Sequence, residues 1–299
     1  MGYVGHKKRK AWLWLLPLGV LLALYLVLQL VQTVGVHGEE QFRPDYPMED
    51  LGPILAQKTL SGEDYDLIFT QTGLARPAVE ELLASGGEEQ ILETQKGFFQ
   101  VPKATCVPLL PARFTCEDLL LDEAGEKVRA VPLAPLQKGD ILLTFGTHSI
   151  GWCHGHGGLV VDTDPAVTLE ATVLGGDSAQ IYARHWPTYV NFLVLRVKDA
   201  DASDREQVVD NALAGLDGIP YSLLSGIFGP KAPDMDGRVT AQCAYLPWYA
   251  WQTCGVDLDS DGGRIVTIMD LAESPELEVV QVCGIDPRLF LESGRANSE

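Results

Sequence analysis

Hydrophobic and polar positions change regime three times along this chain. From Ala11 to Val36 there is no Asp, Glu, Lys or Arg, and through Leu28 the only polar side-chain group is the Tyr25 hydroxyl. The apolar core of a cleaved signal runs to about 7–15 residues, whereas a membrane helix needs about 20. Residues 11–36 are therefore expected to be a transmembrane anchor, with cleavage near Gly38 as the alternative. The pattern then turns helical. Ser61 suits the cap of a helix through Ile68 and Phe69, and Pro77 the first turn of another through Leu83. After the Gly86-Gly87 break, Ile91, Leu92, Phe98 and Phe99 mark a third amphipathic stretch. Residues 101–135 are Pro-rich and are expected to be irregular, so 39–135 reads as a helical subdomain with a linker.

Past Gly139 the period shortens. Ile141–Phe145, Leu159–Val161, Val167–Ala171 and Val190–Val197 are β-rich runs separated by Gly, Asp and Pro. Ser203–Glu206 has capping-box form and opens a helix that buries Val208, Val209, Ala212 and Leu216. A second helix is expected over 242–254 and a last strand over Leu277–Val282, with 284–299 a solvated tail. Strands with segregated helices make 136–283 an α+β domain.

Charge refines this picture. Lys7, Lys8, Arg9 and Lys10 are the only charged side chains before Glu39 apart from histidine, and the whole chain carries a net charge of -19. A basic cluster flanking an apolar span stays cytoplasmic, so residues 1–10 are expected inside and the acidic bulk outside. So acidic a chain is a poor nucleic-acid binder, since that affinity rests on Lys and Arg. Outside the cytoplasm six cysteines could pair, although the sequence does not choose among pairings. Cys106 and Cys116, flanking a short loop, form the local candidate.

Three residues suggest thiol chemistry. Cys243 stands near the start of the expected helix at 242–254. His156 precedes an apolar strand in His154-Gly-His156-Gly-Gly, and Glu170 lies in the next strand. A thiol needs conversion to thiolate, which a helix amino terminus and an imidazolium promote, and a carboxylate can orient the ring. Each residue also has a structural reading: His156 as a strand residue, Glu170 as a solvent-facing one, Cys243 as core. Pro247 complicates the helix start, because its ring crowds the Cys243 carbonyl. Either the first turn kinks, or the helix begins at Pro247 with Cys243 ahead of it.

The order Gly139-Asp-Ile-Leu142, Gly155-His-Gly-Gly-Leu-Val160, Leu169-Glu-Ala171, Leu195-Arg196, Gly218-Ile-Pro-Tyr221, Gln242-Cys243, Ala250 and Gly255-Val-Asp-Leu258 resembles permuted papain-like hydrolases of the YiiX/YebB type. These look like circular permutations of NlpC-type cell-wall cysteine peptidases. The resemblance covers about 140 residues. It implies a papain-like α+β domain of antiparallel sheet and packed helices, with Cys243 as nucleophile, His156 as base and Glu170 as orienter. Tyr221 and Gln242 would be oxyanion or substrate contacts. It further implies a bacterial cell-envelope enzyme that cleaves amide bonds, those of a cell-wall peptide or a related substrate, without a cofactor. Ala244 and Gln242 replace the polar residue and the Asp that often flank the nucleophile, which counts against peptidoglycan-stem specificity more than against thiol chemistry. Two other classes compete: a lipid acyltransferase or esterase of the lecithin retinol acyltransferase-like type, and an inactive binding module.

Metal signals are slight. Asp257-x-Asp259-x-Asp261-Gly262 copies the start of a calcium loop, but Ile268 stands where its bidentate Glu belongs. Cys153, His154 and His156 are zinc-type ligands without a second pair. No metal is expected at either place.

Overall fold

The computed structural model describes residues 7–34, 41–100, 102–109, 115–149, 152–172, 175–225, 227, 230–233 and 239–292. Helix α1 (Lys7–Val34) is followed by α2 (Gly52–Leu55), α3 (Gly62–Thr72), α4 (Arg76–Ala84) and α5 (Glu88–Phe99). Strands β1 (Lys103–Pro108), β2 (Thr115–Leu121), β3 (Ile141–Thr144), β4 (Thr147–Ser149), β5 (Trp152–Cys153), β6 (His156–Thr163), β7 (Ala166–Glu170), β8 (Ala179–Tyr182) and β9 (Phe192–Val197) come next. The chain ends with α6 (Ala202–Gly215), α7 (Tyr245–Gln252), α8 (Ile268–Glu273), β10 (Leu277–Cys283) and α9 (Arg288–Glu292).

The result is a mixed α+β structure with two antiparallel sheets. A six-stranded sheet has the order β10-β9-β3-β6-β7-β8, and a four-stranded one the order β1-β2-β4-β5. Both faces of the larger sheet are covered, so its strands read as continuous apolar runs. Ile141, Leu143, Leu159 and Leu195 pack against α6, α7 and α8 through Val208, Trp251 and Leu271. The alternate residues Leu142, Val160, Val194 and Val280 pack against Ile68, Val79 and Ile91 of α3, α4 and α5. The helices of 62–99 thus share a core with the sheet.

Ser61 caps α3 in a capping box with Asp64, and Gly73 ends the helix at φ 73. A Cβ at Gly73 would lie 1.9 Å from the Val282 carbonyl oxygen, so only glycine permits this approach. The approach lets Leu74 bridge Gln281 and blunts the outer edge of β10. Gln281, fully buried, donates to the Pro132 carbonyl and accepts from the Ala134 amide, fixing the connection that leads into β3.

Several elements differ from expectation. Residues 101–135, expected to be irregular, contain the hairpin β1–β2, in register from Lys103 opposite Leu121 to Pro108 opposite Cys116. The helix expected over 242–254 is Tyr245–Gln252. Asp201, not Ser203, caps α6, because its carboxylate accepts both the Ser203 and Asp204 amides. Within the expected tail, α9 is held by Arg288, which pairs with Asp286 and with Asp45; residues 293–299 lie outside the described set. In α1, side chains are described for 15–31 and are mostly exposed leucines and valines. Among the described residues no helix is long and apolar enough to cross a membrane. The anchor expected over 11–36 extends beyond those side chains.

One ion cluster joins the helical layer to the sheet. The Arg196 guanidinium on β9 donates through Nε and Nη2 to both oxygens of Asp140, at 2.8 Å each, and through Nη1 to Glu81 of α4. Asp140 is fully buried and also accepts the Gln137 amide. Arg196→Met would leave that carboxylate with only the Arg205 guanidinium, 3.9 Å away, and breaking such a buried pair costs about 3–5 kcal/mol. Urea unfolding should show this loss, and Arg196→Met combined with Asp140→Leu should recover most of it.

Candidate active site

His156 is the first residue of β6, opposite Thr144 of β3, and so sits at the end of the sheet. Glu170, the last residue of β7, is opposite Gly158. A Cβ on Gly158 would come within 2.9 Å of the Glu170 Cγ and 3.1 Å of Trp186, so the missing side chain makes room for the carboxylate. Glu170 is 1% exposed, buried rather than turned to solvent. His156 Nε2 lies 2.7 Å from Glu170 Oε2. The other oxygen accepts from Thr168 Oγ1 at 2.5 Å and Trp186 Nε1 at 3.2 Å, and His185 Nε2 lies 3.4 Å from it. Trp186 also stacks on the His156 ring, at 5.5 Å between centroids and 8° between planes.

Thr168, His185 and Trp186 were not singled out from the sequence. Thr168 was accessible in principle, because i and i+2 on a strand share a face. The other two lie on a 3-10 turn (Ala183–Thr188) that no sequence period announces.

The electrostatics follow from burial and pairing. Burial alone would raise the Glu170 pKa, but hydrogen bonds from His156 and His185 and their charge reverse this and hold it low. Burial alone would lower the His156 pKa. Hydrogen bonds with Cys243 and Glu170, and the attraction of the carboxylate, outweigh that and hold it high. The ring is thus stabilised as imidazolium between a carboxylate and a sulfur. With Nε2 committed to Glu170, Nδ1 is the nitrogen left for the thiol.

Cys243 comes from the opposite layer, where it belongs to the core beneath α7. It lies one residue before Ala244, the N-cap, so the helix starts neither at Cys243 nor at Pro247. Pro247 falls in the first turn, where a missing N–H costs little. The Cys243 sulfur lies 3.9 Å from the Gly155 carbonyl oxygen and 3.6 Å from Gln242 Oε1. Gly157 keeps the approach open, since a Cβ there would touch the Cys243 carbonyl at 3.4 Å and Ile268 at 3.0 Å. The Gln242 side chain accepts the Ala244 amide at 2.8 Å and donates to the Val266 carbonyl, so its polar atoms brace the turn that carries the thiol. Tyr221 is half-buried and bridges Ala241, two residues before Cys243. Burial first, and then the proximity of Cys243, push its hydroxyl pKa up.

The other sequence candidates do not join this site, although the carboxylates of Asp259 and Asp261 lie within 4.8 Å of one another and of Asp270. Cys153 bonds to the Phe145 carbonyl at 2.8 Å and His154 Nε2 to Ser149 at 2.9 Å, while His156 turns to Glu170. In the calcium-like run, Asp257 accepts Trp248 Nε1 at 2.7 Å and Asp259 pairs with Lys231. None of the six cysteines is in a disulfide bond.

No protein-family model matches this chain, and no curated protein does. Among solved structures it is similar to one described as the metalloprotein yiiX from Escherichia coli O157:H7, DUF1105, at 15% identity and a TM-score of 0.39. The likeness covers 49% of this chain and 97% of that one. At that level the chemistry of the site rests on the chain's own residues.

A pH dependence follows. The depressed carboxylate contributes stability above its ordinary 4.5, lost as pH falls through its folded value. The raised imidazole contributes below its ordinary 6.5, lost as pH rises through its folded value. The stability gap between the protein and Glu170→Gln should therefore be widest between those two values and narrow on both sides. Its expected size is about 1.5–3 kcal/mol, the range for hydrogen bonds to charged groups. Urea unfolding across the pH range measures it.

Proposed function

We propose that this protein is a membrane-anchored cysteine hydrolase that cleaves amide bonds outside the cytoplasm, with Cys243 as nucleophile, His156 as base and Glu170 as the residue that orients the ring. The observation that supports this most is the buried His156–Glu170 contact of 2.7 Å, with the other side of the ring turned to Cys243. In the resting pair the thiol proton already sits on His156 Nδ1, and the thiolate sulfur bonds to the substrate carbonyl carbon. The resulting oxyanion collapses, the C–N bond breaks, and the amine leaves with the proton from Nδ1. Water, deprotonated by the same nitrogen, then attacks the thioester and frees the acid and the thiol. Gln242 is held by its bonds to Ala244 and Val266, and Tyr221, which the bridge to Ala241 brings beside the turn of the thiol, is the better candidate to face the oxyanion.

Activation of the thiol falls to His156 rather than to a helix dipole, because Cys243 precedes the N-cap. Membrane attachment is supported by the exposed apolar side chains of α1 between Leu15 and Val31, and by the basic run Lys7–Lys10 at its start.

The detergent-solubilised full chain should be alkylated by iodoacetamide first at Cys243 at about pH 6, where ordinary thiols are protonated. His156→Ala should slow that labelling. Modification of Cys153 ahead of Cys243, indifferent to His156→Ala, would overturn the assignment. Release of amines from peptide substrates should fall at least about a thousandfold in Cys243→Ala, as for nucleophiles that act in a triad. Acyl transfer from phospholipid without peptide cleavage would replace the amide reading by the lipid one. Protease added to intact cells should digest residues 39–299 and spare an amino-terminal tag; a protected domain would reverse the orientation.

A further inference from the structure

The small sheet gathers a second set of reactive side chains, apart from the Cys243 site. Cys106 on β1 stands opposite Asp118 on β2, and Cys116, two residues before Asp118, stands opposite His148 on β4. Residues opposite one another, or two apart on one strand, share a face, so all four side chains belong to the same face of the sheet. The donor atoms of Cys106, Asp118 and His148 lie within 4.8 Å of one another, and His148 Nε2 is 3.2 Å from Asp118 Oδ1. The Cys116 thiol is hydrogen-bonded to Cys106. His148 and Cys116 are buried, and the other two are partly so.

We propose that Cys106, Cys116, Asp118 and His148 bind a zinc ion that fastens the β1–β2 hairpin to β4. Two thiolates, an imidazole and a carboxylate are a donor set that suits zinc in tetrahedral geometry. With bonds of about 2.0–2.3 Å, tetrahedral donors stand about 3.3–3.8 Å apart, a spacing that Cys106, Asp118 and His148 already approach and that Cys116 would close on through its bond to Cys106.

A disulfide between the two cysteines fits less well. They are diagonal rather than opposite across the hairpin, and diagonal partners lie about 7–8 Å apart, whereas a disulfide spans about 4.4–6.8 Å between Cα atoms. The ion would also steady the active site at a distance. Thr147, next to His148, accepts the His154 and Gly155 amides at 3.1 and 2.9 Å, on the segment that ends at His156.

The test loads the reduced, full-length protein in detergent with zinc alone, then removes excess by gel filtration. Elemental analysis should find roughly one equivalent per chain. Retention should fall by more than about tenfold in Cys106→Ser and in His148→Ala, since even loss of an outer partner costs that much. Cys153→Ser should retain the metal in full. Cobalt(II) in place of zinc should give tetrahedral absorption with a thiolate-to-cobalt charge-transfer band. Absence of that band in the unmutated protein would overturn the proposal however the variants fold. So would unchanged retention in both ligand variants, or a protein isolated with a Cys106–Cys116 disulfide that takes up no zinc after reduction.

Discussion

Arg196 lies where the helices of 62–99 and the large sheet must agree. Its flat guanidinium satisfies both oxygens of Asp140, a carboxylate with no access to water, and its remaining arm reaches Glu81 on α4. Asp140 immediately precedes β3, so the fork fixes where that strand begins. The pairing of β3 with β6 then sets Thr144 opposite His156. A slip of one residue would turn every side chain of β6 to the other face and carry His156 away from Glu170. The cluster is buried deeply enough that it adds less to net stability than to uniqueness: many registers bury apolar strands, and few satisfy this carboxylate.

The same logic applies at the site. Glu170 is tolerated inside because His156, Thr168, Trp186 and His185 all turn polar hydrogens towards it. Glycines at 157 and 158 are the complement of that crowding, one clearing a path for the turn of Cys243 and the other for the carboxylate itself. Preorganisation here means that the ring is held on one edge by a hydrogen bond and on one face by indole before any substrate arrives.

Much of this was legible in the chain, for identifiable reasons. Ser61 and the strand at Leu277 were readable because caps and β-branched runs act locally. The hairpin at 103–121 was not, because Pro108 and the acidic pair Glu117-Asp118 disguise two short strands whose pairing supplies their stability. Cys243, His156 and Glu170 could be chosen by residue type and order. The burial of Glu170 could not, since it depends on its register against Gly158. Pro247 left the helix start open between two readings, and the chain took a third, placing the proline in the turn where its missing hydrogen is least needed.

The two halves of the site differ in how far they reach along the chain. Every partner of Glu170 falls between His156 and Trp186, so the polar half is built from one hairpin and the turn that follows it. The sulfur is brought in from 88 residues beyond Gly155. During synthesis the segment that carries the histidine–carboxylate pair therefore emerges well before the proposed nucleophile is made. For the lineage this makes the thiol the expendable part. Under the proposed mechanism, replacing one residue at 243 would silence the chemistry and leave the buried His156–Glu170 pair in place, a simple route from an enzyme to a receptor.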